Sequence, residues 1–221
     1  MPPSSQAVVF DFDGVIVDSE PAHYRAFQAV LEPQGLSYSW ERYVDHYMGF
    51  DDRDGFREAY RSAGREVGED ELEELIAAKH AAFEAEMAEG LDPIPGAVDC
   101  VRRLGRAFPL AVCSGALRGE ILPTLEGLGI AGAFRIVVSA EDVAHSKPDP
   151  ASYRLAVERL GADLDRGLDP GACVAIEDTP TGAASARAAG LLVIGLDPEG
   201  VGPEGAHRSV RSLDELAAGN L

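Results

Sequence analysis

The chain has 221 residues, 46% hydrophobic and 26% charged, a globular rather than a disordered composition. Asp+Glu number 38 against 19 Lys+Arg, for a formal net charge of −19, which argues against nucleic acid and against an anionic membrane surface. No apolar run reaches the ~18 residues of a membrane span.

Met-Pro-Pro-Ser-Ser-Gln at the start lacks a basic region, and Asp11 and Asp13 break the apolar stretch behind it, so no signal peptide is expected. Cys100, Cys113 and Cys173 show no CxxC spacing. They predict neither a disulfide framework nor a zinc site, and a cytoplasmic location.

The first element is a strand, Ala7-Val-Val-Phe10, closed by Asp11. Residues 18–90 carry helical periodicity, with helices expected near 21–33, 39–47, 51–63 and 69–88 and Ser19 as an N-cap ahead of Pro21. Gly90 to Gly96 reads as a linker. Beyond it, strands are predicted at Phe108–Cys113, Arg135–Val138, Ala172–Ile176 and Leu191–Gly195, separated by helices near 97–107, 117–128, 150–160 and 181–189. Pro150 and Pro180 stand near helix starts, Gly161 and Gly190 near ends. Strand–helix alternation predicts an α/β fold, a doubly wound parallel sheet with helices on both faces. The expected division is a core of residues 1–17 and 93–221 with an inserted α-helical cap of residues 18–92.

Asp11-Phe-Asp13-Gly14 ends the first strand. Residues i and i+2 of an extended chain face one side, so two carboxylates converge where the strand stops, at the sheet edge where α/β proteins bind ligands. Three further strands lead to polar groups: Ser114-Gly115, Lys147-Pro148 and Glu177-Asp178. Singly, Ser114 or Glu177-Asp178 would read as helix caps; together they point to one site. Lys79 and Lys147 are the only lysines against 17 arginines.

These motifs, Asp11-Phe-Asp-Gly-Val-Ile-Val-Asp-Ser19, Cys113-Ser-Gly115, Ser146-Lys-Pro-Asp149 and Ile176-Glu-Asp-Thr179, resemble the four motifs of the haloacid dehalogenase superfamily of phosphotransferases. The helical insert resembles the small cap of its β-phosphoglucomutase and phosphoglycolate phosphatase branch. The resemblance implies that Asp11 attacks phosphorus and forms an aspartyl-phosphate, and that Asp13 protonates the leaving oxygen and then activates water. It implies Mg²⁺ on the Asp11 carboxylate, the Asp13 main-chain carbonyl and Asp178, with Glu177 behind the metal ligands. Ser114 and the Gly115 amide would hold phosphoryl oxygens, and Lys147 would sit between Asp11 and the phosphate. The cations are needed: two unit charges at about 4 Å repel by roughly 4 kcal/mol at an effective dielectric near 20, and a carboxylate approaching a phosphate dianion meets more.

In the cap, Lys79 falls within the apolar stripe Leu72, Leu75, Ile76, Phe83 and Met87, so it is expected to be buried, snorkelling or functional. The resemblance places a substrate-contacting Lys there, a cap His at His23, and substrate contacts at Gly49 and Arg53, whose spacing is one residue longer than in the mutase. His46, His80, His145 and His207 read as surface or packing residues and Trp40 as cap packing. Asp51 to Gly55 fails as a calcium loop, with Phe50 and Arg61 at its first and twelfth positions. Gly127-Leu-Gly129-Ile-Ala-Gly132 follows a helix instead of a strand and is a turn rather than a dinucleotide motif.

The expected function is a Mg²⁺-dependent phosphatase of a small phosphorylated metabolite, a sugar phosphate or phosphoglycolate. The alternatives are a hexose-phosphate mutase of the β-phosphoglucomutase type, a phospho-acceptor signalling domain, and phosphonate cleavage through a Lys79 Schiff base. Asp13 argues against a dehalogenase. The sequence leaves the oligomeric state open and is compatible with a monomer.

Overall fold

The computed structural model describes residues 5–48 and 50–221. In chain order the first elements are β1 (Ala7–Phe10), β2 (Val17–Asp18), α1 (Glu20–Leu31), α2 (Trp40–Arg42), α3 (Asp52–Ser62), α4 (Glu69–Glu89) and β3 (Asp92–Pro93). There follow α5 (Ala97–Gly105), β4 (Leu110–Cys113), α6 (Arg118–Gly127), β5 (Phe134–Val138), α7 (Ala151–Asp163), β6 (Cys173–Glu177), α8 (Pro180–Ala188), β7 (Leu192–Leu196) and β8 (Arg208–Val210). One compact unit runs to Asp18 and resumes at Asp92; the other is Ser19–Leu91. Where the chain leaves and re-enters the first unit, β2 and β3 pair antiparallel, Val17 opposite Pro93.

The first unit is built on a sheet of order β5-β4-β1-β6-β7-β8, whose pairings are all parallel. Both faces are covered. Ala7, Val9, Ala111, Cys113, Cys173 and Ala175 pack with Tyr153, Ala156 and Leu160 of α7 and Ala183 and Ala186 of α8. On the opposite phase of the strands, a Cβ on Gly105 of α5 would stand 3.4 Å from Leu110 Cδ1. Strands buried on both sides explain the unbroken apolar runs. The order reverses at β1, which has β4 on one side and β6 on the other, so the carboxyl ends of these strands form a topological switch point.

The second unit is helical. Phe27, Val30 and Leu31 of α1, Phe56, Ala59 and Tyr60 of α3, and Leu72 and Leu75 of α4 make its core with Tyr43 and Tyr47.

Several elements differ from expectation. The helix expected over 39–47 is a single turn, α2, followed by a π-helical turn Tyr43–Tyr47 in which Met48 N–H donates to Tyr43 O. The wider turn accompanies stacking of Tyr38 on Tyr47 at 4.2 Å and of Trp40 on Tyr43 at 5.4 Å. The helix expected over 150–160 passes Gly161 and continues to Asp163. The chain folds back there, and a Cβ on Gly161 would lie 2.9 Å from Arg166 O, so the glycine serves a close backbone approach. The last long strand begins at Leu192 because Leu191 N–H still closes the end of α8 on Ala186 O. The short β2, β3 and β8 were not anticipated; Arg208-Ser-Val210 contains no apolar run to mark it. Ser19 precedes α1, but its side chain makes no capping hydrogen bond.

Candidate active site

Parallel register brings the first unit's polar groups to one sheet edge. Phe10 pairs with both Val112 and Ile176, so Asp11 lies level with Cys113 and Glu177. The ladder continues one step further through Asp11 N–H to Ile176 O at 3.0 Å and Ser114 N–H to Val138 O at 2.9 Å. Beyond Asp11 the chain turns tightly, with Gly14 N–H donating to Val17 O and Ile16 N–H to Phe12 O, each at 2.8 Å. Gly14 takes φ +72°, a left-handed conformation that glycine adopts without a Cβ penalty.

Asp11 is 7% exposed, and its Oδ1 accepts from Phe12 N–H at 2.7 Å and from Lys147 Nζ at 2.8 Å. Lys147 also donates to Glu177 Oε1 at 2.6 Å. Glu177 is wholly buried and committed on both oxygens: Tyr153 OH donates to Oε1 at 2.7 Å and Thr179 Oγ1 to Oε2 at 3.3 Å. Its carboxylate lies against Gly182 at the start of α8, where a Cβ would fall 2.0 Å from Oε1. Ser114 is buried, takes a hydrogen bond from Ala116 N–H on Oγ at 2.9 Å, and stands 3.5 Å from Asp13 Oδ2. Ser114, Gly115 and Lys147 line a cavity of about 280 Å³.

Burial pushes the Asp11 carboxyl well up, against the pull of Lys147. Burial, then the charge of Glu177, raises Asp178 to about 7. Burial alone would lower Lys147; Asp11 and Glu177 outweigh it and hold the ammonium above the ordinary lysine range.

Ligand oxygens of Asp11, Glu177 and Asp178 lie within 4.8 Å of one another. Asp178 Oδ1 is buried and has no hydrogen-bond partner among the described residues. With all three carboxylates ionised, one ammonium leaves two negative charges unbalanced, and burial, together with this excess, raises Asp11 and Asp178 in the absence of a further cation. An all-oxygen donor set with an orphaned carboxylate oxygen fits a hard divalent cation. Since Glu177 is already engaged by Lys147, Tyr153 and Thr179, Asp11 and Asp178 are the side chains best placed to hold it.

The second unit gathers His23 and Lys79 with Asp52. Lys79 is 3% exposed. Its Nζ donates to Asp52 Oδ1 at 2.7 Å, stands 2.9 Å from His23 Nδ1, and lies about 5 Å above the Phe27 and Phe83 rings. An ammonium only donates, so His23 Nδ1 accepts and its proton sits on Nε2. Burial, then the charge of Lys79, lowers His23 to about 4. His80 Nε2 reaches the other Asp52 oxygen at 3.0 Å. Arg53 is apart from this group, paired with Glu69 at 2.6 Å. Gly49 lies outside the described residues.

Tyr153, Gly182 and Asp52 escaped the sequence reading. Tyr153 shares the buried face of Ala156, Val157 and Leu160, and a buried tyrosine requires a partner for its hydroxyl. That signal announces a hydrogen bond without naming Glu177. Asp52 stands in an acidic run with nothing to single it out.

A haloacid dehalogenase-like hydrolase family profile matches residues 8–196. The fructose-1-phosphate phosphatase YqaB of Escherichia coli (strain K12) is 30% identical over 184 residues, covering 83% of this chain and 92% of that protein. The phosphoglycolate phosphatase of Rhodospirillum rubrum is 32% identical over 194 residues, 86% of this chain and 78% of its own. Among solved structures, a family hydrolase from Deinococcus radiodurans R1 with bound phosphate and sodium aligns with a TM-score of 0.76 at 28% identity, covering 98% of this chain and 95% of that one. With the motifs in order and the match spanning most of its length, the chain belongs to the haloacid dehalogenase-like hydrolase family.

Proposed function

We propose that the protein is a Mg²⁺-dependent phosphatase that hydrolyses a small phosphorylated metabolite through an aspartyl-phosphate on Asp11. The observation that carries this reading is Lys147 held between Asp11 and Glu177 at 2.8 and 2.6 Å, beside the partnerless Asp178 oxygen. Burial favours the neutral Asp11 carboxyl and Lys147 pulls against it; the ammonium and a bound cation together would hold the carboxylate ionised, as a nucleophile requires. Asp13 gives a proton to the leaving oxygen in the first step and takes one from water in the second. The Ser114 hydroxyl and Gly115 N–H hold phosphoryl oxygens. Asp11, Asp178 and the Asp13 main-chain carbonyl hold Mg²⁺, with Glu177 behind them; the bound cation supplies neutralising charge where carboxylate meets phosphate. The family likeness adds substrate contacts at His23, Lys79, Gly49 and Arg53.

Relatives named as fructose-1-phosphate and phosphoglycolate phosphatases support a small phosphate monoester as substrate. Three buried, free cysteines support a reducing, cytoplasmic setting; among the described residues no helix is long and apolar enough to cross a membrane. A phosphate-release screen over sugar phosphates, phosphoglycolate and nucleotides, with Mg²⁺ or EDTA and Asp11→Asn as blank, tests the proposal. Release that needs both Mg²⁺ and Asp11 is expected. Isomerisation dependent on a bisphosphate primer, without net phosphate release, would establish the mutase instead.

A further inference from the structure

Lys79 is a cation whose charge is already answered. Its side chain is 3% exposed and Asp52 Oδ1 stands 2.7 Å away. Of its three N–H donors, one goes to Asp52 and one to His23 Nδ1, leaving one for a ligand atom. The Lys79–Asp52 pair is neutral as a unit, the exposed His80 stands 3.0 Å from the other Asp52 oxygen, and His23, lowered to about 4 by burial and by Lys79, adds no charge near neutral pH. Such a group offers a single donor beside a carboxylate acceptor. That combination suits hydroxyl or carbonyl oxygens. A second anionic group on a substrate that took this remaining N–H would lie beside the Asp52 carboxylate and be repelled by it.

We propose that Asp52 is a specificity-determining positioning residue, which by neutralising Lys79 makes the enzyme prefer phosphate monoesters of uncharged polyols over esters whose leaving group carries a second anion. The inference rests on the reading that Lys79 contacts the substrate. It separates two substrate types that the family likeness leaves together: sugar monophosphates are taken, while phosphoglycolate and sugar bisphosphates are disfavoured.

The test compares kcat/KM of the full-length Mg²⁺-loaded enzyme for a hexose monophosphate, the corresponding bisphosphate and phosphoglycolate. The wild type is expected to prefer the monophosphate by about tenfold or more, the size of one screened charge contact. Asp52→Asn keeps an acceptor for Lys79 but removes the neutralising charge, and is expected to move the ratio toward the doubly anionic esters by a similar factor, chiefly through KM. Asp52→Glu keeps the charge and the wild-type ratio. A wild type without the preference overturns the inference. So does a folded Asp52→Asn enzyme with an unchanged ratio, the result expected of a residue that only stabilises the cap. If Asp52→Asn does not fold, the wild-type ratio decides. Lys79→Met separates the two levels. Lowered kcat/KM with an unresponsive Asp52→Asn ratio overturns the inference alone; unchanged kcat/KM for every ester removes the substrate contact at Lys79 and the inference with it.

Discussion

The Asp178 carboxylate occupies the space that a side chain at position 14 would need: a Cβ on Gly14 would fall 1.9 Å from Asp178 Oδ2. The turn after β1 and the acidic pair at the end of β6 therefore fit only with glycine at this point. Gly14→Ala adds a left-handed strain of about 1–2 kcal/mol and pushes Asp178 aside. We expect a folded protein whose Mg²⁺ affinity falls by at least about tenfold, a loss of roughly 1.4 kcal/mol. Titration calorimetry with Mg²⁺ checks it.

In the metal-free protein Asp178 contributes a pH dependence to stability, in the same direction as Asp11, whose carboxyl burial also raises. The folded pKa of Asp178, about 7, lies above the ordinary carboxylate value because of burial and Glu177. The folded state therefore holds a proton that the unfolded state releases, and this contribution to stability is lost as pH rises from about 4 to about 7, by up to about 1.4 kcal/mol per unit. Urea unfolding in EDTA across that range should show the decline, and Asp178→Asn should reduce its slope, leaving the share that Asp11 contributes. Mg²⁺ binding should strengthen with pH over the same interval.

His23 acts in the opposite direction. Its folded value, about 4, lies below the ordinary histidine value, so protons bind the unfolded state first. The contribution of the neutral ring is full above pH 6.5 and falls as pH drops toward 4. Subtracting the stability curve of His23→Gln from that of the wild type should isolate this slope.

Tyr153→Phe removes a single hydroxyl from Glu177. The buried carboxylate then loses one of its two Oε1 donors, at a cost of about 1–3 kcal/mol. Lys147 keeps its bond to Glu177 but loses the fixed position of that partner, so kcat should fall more than KM changes. Thermal unfolding and steady-state kinetics on the same preparation measure both effects.

Much of the site was legible because its chemistry coincides with strand ends. Asp11 and Asp13 are marked by i, i+2 spacing after an apolar run, and Lys147 by its rarity among seventeen arginines. The division of labour between Glu177 and Asp178 was not legible from spacing, since either neighbour could ligate a cation. It follows from tertiary contacts: Glu177 is consumed by Lys147, Tyr153 and Thr179. Gly182 looked like any residue in a helix's first turn until the Glu177 carboxylate was seen to lie against it. In the helical unit, periodicity places Lys79 on the buried stripe, but no periodicity predicts which of the four acids from Asp51 to Glu58 turns inward to meet it. The same limit explains β8, a strand created by pairing with β7 rather than by its own composition.

The central claim, that Asp11 takes the phosphoryl group, is tested most directly by acid-quenching the enzyme during turnover with Mg²⁺ and a substrate from the screen, reducing it with borohydride and mapping the modified residue by peptide mass spectrometry. The account predicts reduction of an acyl phosphate at Asp11, converting it to homoserine, with none in Asp11→Asn or in EDTA. Sustained phosphate release with Asp11 unmodified, and retained in Asp11→Asn, would contradict it.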